Sequence, residues 1–168
     1  METTEYKIRE NQFNLLNPCS IKVGRIVAIS ISKKKGIPKS NVESAKLMEN
    51  WGIDGDVHAG NWHRQVSFLA YESINKMREA GIPNLRPGAF AENITTEFIN
   101  LPELKIGTII RIGRDAELEI TQIGKECHNK CAIFIKVGDC VMPREGIFAR
   151  VNKTGEIFIG DEISVFSN

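Results

Sequence analysis

In Leu104-Lys105-Ile106-Gly107-Thr108-Ile109-Ile110-Arg111-Ile112 and Glu117-Leu118-Glu119-Ile120-Thr121-Gln122-Ile123, two aliphatic, β-branched runs flank the turn sequence Gly113-Arg114-Asp115-Ala116. Two such runs across a short Gly- and Asp-bearing link read as a β-hairpin. Glu117 and Glu119 alternate with Leu118 and Ile120, so one face is solvated and the other buried. Working outward, the odd positions of 21–31 (Ile21, Val23, Arg25, Val27, Ile29, Ile31) predict a half-buried strand whose inward face carries one misfit, Arg25. Residues 65–70 (QVSFLA) form a short apolar run. Tyr71, Ile74 and Met77 at spacing three then predict a short amphipathic helix, stopped by Gly81 and Pro83. Toward the C-terminus, 146–151 and 156–159 read as a strand pair about Asn152-Lys153-Thr154-Gly155, and Gly160-Asp161 turns into a strand from Glu162 to Phe166.

Many short strands, frequent turn signals and few short helices predict a mostly β domain, either an all-β barrel or a β-rich α+β fold. The 168 residues suit a polar leader over 1–18 and a single domain over 19–168. The leader is charged and has no apolar run that would make a signal peptide, and no stretch approaches the length needed to span a bilayer. A cytoplasmic location with no membrane partner is therefore expected. Lys and Arg number 22 against 21 Asp and Glu, so no global field draws the chain to nucleic acid. Four cysteines are too few for a disulfide scaffold, and in a reducing compartment Cys127, Cys131 and Cys140 point to chemistry or metal.

Three segments carry chemistry-bearing side chains. In Trp51-Gly52-Ile53-Asp54-Gly55-Asp56-Val57-His58-Ala59-Gly60-Asn61-Trp62-His63-Arg64, glycines allow sharp turns or close approach to a ligand between acids, histidines and an arginine. The ordinary reading is a turn-rich loop with self-capping aspartates. The functional one is an anion or cofactor site in which glycine amides and Arg64 donate while His58 orients or protonates. Asp56, His58 and His63 are a weaker metal set, since the loop spacing dictates no ligand geometry. In the second segment, Pro87-Gly88 makes a turn, Phe90 suits a core, and Glu92 and Asn93 can orient a neighbour or a bound heterocycle. In the third, Lys125-Glu126-Cys127-His128-Asn129-Lys130-Cys131, basic neighbours favour the thiolate of Cys127. A thiolate there serves persulfide chemistry, soft-metal ligation or thiol exchange. Cys127, His128, Cys131 and Cys140 could also hold zinc, whereas Cys140 between apolar neighbours reads as a small buried hydrophobe.

Taken in order, these segments resemble the MOSC domain, named for the C-terminal domain of molybdenum cofactor sulfurases. The residues that carry the resemblance are Gly52-x-x-Gly55-Asp56-x-His58-x-Gly60, Arg64-x-Val66-Ser67, Pro87-Gly88-x-Phe90-x-Glu92-Asn93-Ile94-Thr95-Thr96, Leu104-x-Ile106-Gly107-Thr108, the cysteine segment, and Gly146-Ile147-Phe148-Ala149-Arg150-Val151 ahead of Gly160-Asp161. The resemblance implies a standalone domain with a barrel-like fold and a role tied to sulfur or the molybdenum cofactor. It implies that Cys127 bears sulfur as a persulfide or contacts molybdenum as a metal ligand. Cys127 and His58 are then the expected catalytic residues, with Gly55, Asp56, His58, Gly60, Arg64, Glu92 and Asn93 around the cofactor. The family's Pro-Cys is here Glu126-Cys127, and Cys131 is an addition that can resolve a persulfide as a disulfide.

The expected function is thus a sulfur carrier or cofactor-binding protein linked to the molybdenum cofactor. The alternatives are a cofactor-dependent reductase of N-hydroxylated substrates, which needs a redox partner, a small Cys/His metal or redox-sensing module, and a non-catalytic domain that delivers a precursor. Expected partners are the molybdenum cofactor (molybdopterin) or the proteins that make or sulfurate it. Pyridoxal phosphate is not expected, because the chain lacks a Schiff-base pattern and the length of the fold that binds it. The cofactor site is expected to bring Cys127 into the same pocket as His58 and Arg64, and it fails if they lie on opposite faces.

Overall fold

The computed structural model describes residues 21–127 and 130–166; the leader expected at 1–18, Cys19 and His128 lie outside them. Along the chain come β1 (Ile21–Ile31), β2 (Ser40–Val42), β3 (Ser44–Met48), β4 (Gly52–Ile53), β5 (Val66–Ala70), α1 (Tyr71–Glu79) and β6 (Ile94–Glu97). A 3₁₀ turn (Leu101–Glu103), β7 (Ile109–Ile112), β8 (Ala116–Ile123), α2 (Ala132–Val137), α3 (Met142–Glu145), β9 (Ile147–Lys153), β10 (Gly155–Phe158) and β11 (Glu162–Phe166) follow.

Seven strands close on themselves in the order β11-β7-β8-β9-β5-β6-β1, with β1 pairing back onto β11 and β2 extending from β1. Closure removes the exposed edges that an open sheet of this size would present. All pairings are antiparallel except β5–β6, whose crossover carries α1. A second sheet, β10-β3-β4, lies beside the barrel. The fold is mostly β with three short helices among the described residues. None of those helices is long and apolar enough to cross a membrane.

Strand alternation sorts the core into two. Val66, Phe68 and Ala70 of β5 and Ile147, Ala149 and Val151 of β9 point into the barrel, joined by Ile26, Ile110, Leu118, Ile120 and Ile163. On the other face, Leu69 and Phe148 join Ile74 and Met77 of α1, Met142 of α3, and Cys140 in a smaller apolar cluster. β5 is buried over its whole length because it serves both. Ser67 and Phe148, directly opposite each other in the β5–β9 register, face this outer side.

Three sequence expectations need correction. The hairpin exists, but its first strand begins at Ile109, and Ala116 pairs with Ile112 rather than belonging to the turn. Within β1 the predicted odd face is wrong in the first half: Val23 and Arg25 are exposed while Ile26 and Ala28 are buried. A bulge between Ile26 and Ala28 in the pairing with β6 shifts the register by one residue, so Ile29 faces inward again. Finally, β10 does not pair with β9. It crosses to β3, with Glu156 opposite Lys46. Gly155 makes that crossing, since a Cβ there would lie 2.6 Å from the Ala116 amide nitrogen.

Candidate functional site

Asp56 is the hub of the loop that follows β4. Its carboxylate, buried with 2% of the side chain accessible, accepts from Lys39 Nζ (2.7 Å), Asn93 Nδ2 (2.9 Å) and the Ser32 amide (3.2 Å) on Oδ2. Oδ1 accepts from the His58 amide (2.8 Å) and faces His58 Nδ1 at 3.2 Å. Burial alone pushes this carboxyl up, but the Lys39 ammonium and the converging amides outweigh it and hold Asp56 below the ordinary carboxylate range. With Nδ1 donating to Asp56, the imidazole keeps Nε2 as its uncommitted nitrogen.

Asn93, at the entry to β6, ties this hub to the barrel. Its Oδ1 accepts from the Ser67 amide (3.1 Å) and Ser67 Oγ (3.0 Å), and its Nδ2 donates to Ser30 O (3.1 Å) as well as to Asp56. Every hydrogen-bonding group of the amide is thereby used, as burial demands. Glu92 faces elsewhere. Its fully buried carboxylate accepts from the Gly88 and Phe90 amides (2.5 and 3.0 Å) and Thr95 Oγ1 (3.3 Å), closing the turn before β6. Burial pushes the Glu92 carboxyl up despite those donors.

Above the hub lies a cavity of about 110 Å³ lined by Lys39, His58, Trp62, Arg64, Ser67, Ala91, Asn93, Lys125 and Phe148. The Trp62 indole donates to His58 O (3.1 Å), which folds the loop back over Arg64. The Arg64 guanidinium lies 4.8 Å from the Trp62 ring centre and 5.7 Å from that of Phe148, two cation–π contacts that help to hold it in place. Arg64 Nε is buried without a hydrogen-bond partner. Lys125 has no ion pair among the described residues. A small cavity with a buried orphan donor, an unpaired ammonium and a histidine is suited to an anion.

Cys127 does not line that cavity. It lines a neighbouring one of about 210 Å³ with Lys130, Cys131, Phe134, Cys140 and Pro143. The expected shared pocket is not found: His58 and Arg64 line one cavity and Cys127 another, with Lys125 on the wall of the first and Cys127, two residues on, in the second. The segment between them leaves β8 at Gly124, whose φ is +70° and where a Cβ would lie 2.1 Å from Pro143 O. Only glycine brings the chain this close to α3, and the Gly124 amide seals the approach by donating to Gly146 O (2.7 Å). Cys127 and Cys131 are exposed free thiols, while Cys140 is buried as expected and yet reaches the thiol cavity.

The structure thus brings His58, Arg64, Asp56 and Asn93 together and leaves other expected residues apart. The Gly60 amide is spent on Trp51 O (2.7 Å), so it is not a ligand donor. Gly55 turns at a φ of +79° with open space where a Cβ would be, away from the cavity wall. Glu92 supports the turn rather than the cavity. His63 turns toward β8, where Nε2 meets Gln122 Oε1 at 2.9 Å. Among the described residues no group of three His, Cys, Asp or Glu side chains is placed to hold a metal, which disassembles the Asp56, His58, His63 set. The zinc alternative includes His128, outside the described residues. The sequence reading quoted Trp62, Ser67 and Phe148 in its motifs without giving them a site role, and missed Lys39. A cation–π pair two residues apart, Trp62 and Arg64, was the available signal.

Comparison with known proteins agrees with the architecture. The YuaD protein from Bacillus subtilis superposes with a TM-score of 0.72 at 21% identity, over 89% of this chain and 99% of that one. YiiM from Geobacillus stearothermophilus superposes at 0.63 with 20% identity, over 86% and 75% of the two chains. YiiM from Escherichia coli does so at 0.61 with 16% identity, over 86% and 70%. No curated protein sequence matches the chain. At these identities the solved structures speak to the fold, but the model of the MOSC domain matches residues 54–164, more than half of the sequence. The chain belongs to the MOSC domain family.

Proposed function

We propose that this protein handles sulfur for the molybdenum cofactor: the Arg64 cavity holds the phosphate of the cofactor, and the Cys127 thiolate carries sulfur or contacts molybdenum. The observation that carries the reading is the 125–127 segment, which walls the cation cavity with Lys125 and the thiol cavity with Cys127. Two residues of extended chain span at most about 7 Å, which supports reading the anion subsite and the thiol as neighbours.

The residues present fit the phosphate end of that group. Arg64 Nε is an orphaned buried donor, and Lys125 adds a second cation to the rim beside His58. At about 110 Å³ the cavity has room for several waters, and so for a phosphate. When bound, the cofactor supplies the molybdenum centre that accepts sulfur or coordinates the thiolate. The chain's own contribution is positioning: Asp56 orients the His58 ring through Nδ1, and the Trp62 and Phe148 rings hold the Arg64 guanidinium.

Protein isolated from a molybdenum-replete host is expected to release a fluorescent pterin on denaturation and oxidation, near one equivalent. Protein that is pterin-free and takes none up from a molybdopterin-bearing donor would remove the cofactor-binding half of the proposal.

A further inference from the structure

The third cysteine changes the reading of the second. Cys127, Cys131 and Cys140 line one cavity, completed by Phe134, Pro143 and Lys130, whose ammonium lies 5.1 Å from the Phe134 ring centre. The three residues face one space of about 210 Å³. The thiols differ in access: Cys127 and Cys131 are exposed, whereas Cys140 is buried at 6% accessibility. Burial pushes the Cys140 thiol up; the Met142 amide opposes this, and the neighbouring Cys131 and Cys127 add to it. A protonated thiol is a poor nucleophile.

We propose that Cys131 is the resolving thiol of a sulfur-release step inside this cavity. The proposal rests on the reading of Cys127 as a sulfur carrier. The Cys131 thiolate attacks the inner sulfur of a Cys127 persulfide. The Cys127 Sγ–Cys131 Sγ bond forms, the bond to the outer sulfur breaks, and that sulfur leaves as hydrosulfide with the proton of the persulfide. Electrons balance without an external oxidant, because the outer sulfur is reduced as the two thiols become a disulfide. The Lys130 ammonium at the cavity wall favours the anionic leaving group, and a dithiol reductant resets the pair. Cys140 remains a spectator that walls the cavity. Delivery is then coupled to a disulfide, so a chain that has released its sulfur is chemically marked as spent.

The test loads the reduced protein with inorganic polysulfide, removes the excess without oxygen, and follows hydrosulfide release together with alkylated peptide masses. Wild type is expected to release hydrosulfide as a Cys127–Cys131 disulfide appears. Cys131→Ser is expected to retain the persulfide on Cys127 with release slowed at least about tenfold, and Cys140→Ala to behave as wild type. Equal release from wild type and Cys131→Ser, a block in Cys140→Ala, or no persulfide on Cys127 at all would each overturn the proposal. A parallel arm loaded by a cysteine desulfurase reads the carrier assignment separately. Label from polysulfide but none from the desulfurase removes that assignment, while the polysulfide arm still decides the release step.

Discussion

Asp56→Ala is expected to lower the stability of the fold by about 3–5 kcal/mol, because it leaves the Lys39 ammonium buried without its counter-charge. Three further donors, the Ser32 and His58 amides and Asn93 Nδ2, lose their acceptor at the same time. Asp56→Ala combined with Lys39→Met removes the stranded charge and is expected to be more stable than Asp56→Ala alone. The remaining deficit reflects the orphaned donors, at about 1–3 kcal/mol for each that water cannot reach. Urea denaturation with matched slopes measures both, and a loss below about 1 kcal/mol in the single variant would show that water reaches the pair. The pH dependence has a definite sign. Asp56 is depressed in the folded state, so its contribution is complete above the unfolded value near 3.9 and is lost as pH falls through the folded value. Glu92 is raised, so its protonation on acidification adds stability as pH falls through its folded value and partly offsets that loss. Asp56→Asn is expected to flatten the acid limb relative to wild type, while Glu92→Gln steepens it.

The second large effect is on binding. Arg64→Ala is expected to weaken a phosphate-bearing ligand about 10- to 150-fold, the equivalent of the 1.5–3 kcal/mol that a hydrogen bond to a charged group contributes. The guanidinium presents a donor with no internal partner, so a bound anion satisfies a group that otherwise remains desolvated and unpaired. Arg64→Lys keeps the charge but loses the planar fork that contacts Trp62 and Phe148, and is expected to recover only part of the affinity. Titration calorimetry with pyrophosphate as probe, at low and physiological salt, reads the effect. Unchanged pyrophosphate affinity in a folded Arg64→Ala variant would place the anion elsewhere.

Local pattern and tertiary partnership divide what the sequence reveals. The β7–β8 hairpin and α1 were legible because period-two and period-three spacing, with Gly81 and Pro83 as stops, are properties of neighbouring residues. The face of β1 was not, since a bulge opposite β6 depends on a strand about seventy residues away and moves every side chain in half of the strand. The partner of β10 was hidden for the same reason: β3 is only five residues long, and its four-residue register with β10 is set more than a hundred residues away along the chain. At the site, acids, histidines and cysteines announced themselves by type, whereas Lys39 did not. A lysine after a basic loop reads as solvated, and nothing local tells that Asp56 will draw it into the interior. The same limit separated Cys127 from His58: both were legible as reactive types, and only the chain path through Gly124 and past Pro143 assigns them to adjacent cavities.

That assignment makes Cys127 the atom on which the functional reading stands, and mass analysis reads it directly. Reduced protein is incubated with a cysteine desulfurase and cysteine, alkylated, digested, and compared with a Cys127→Ser variant treated alike. Because Cys127 is exposed, the substitution is expected to leave stability within about 0.5 kcal/mol, so a difference in labelling reports chemistry rather than folding. The expected result is one added sulfur on the Cys127 peptide of wild type, removed by reductant and missing from the Cys127→Ser variant. A folded wild-type protein whose Cys127 stays unmodified, or a Cys127→Ser variant that takes up sulfur to the same extent, would contradict the role assigned to this residue.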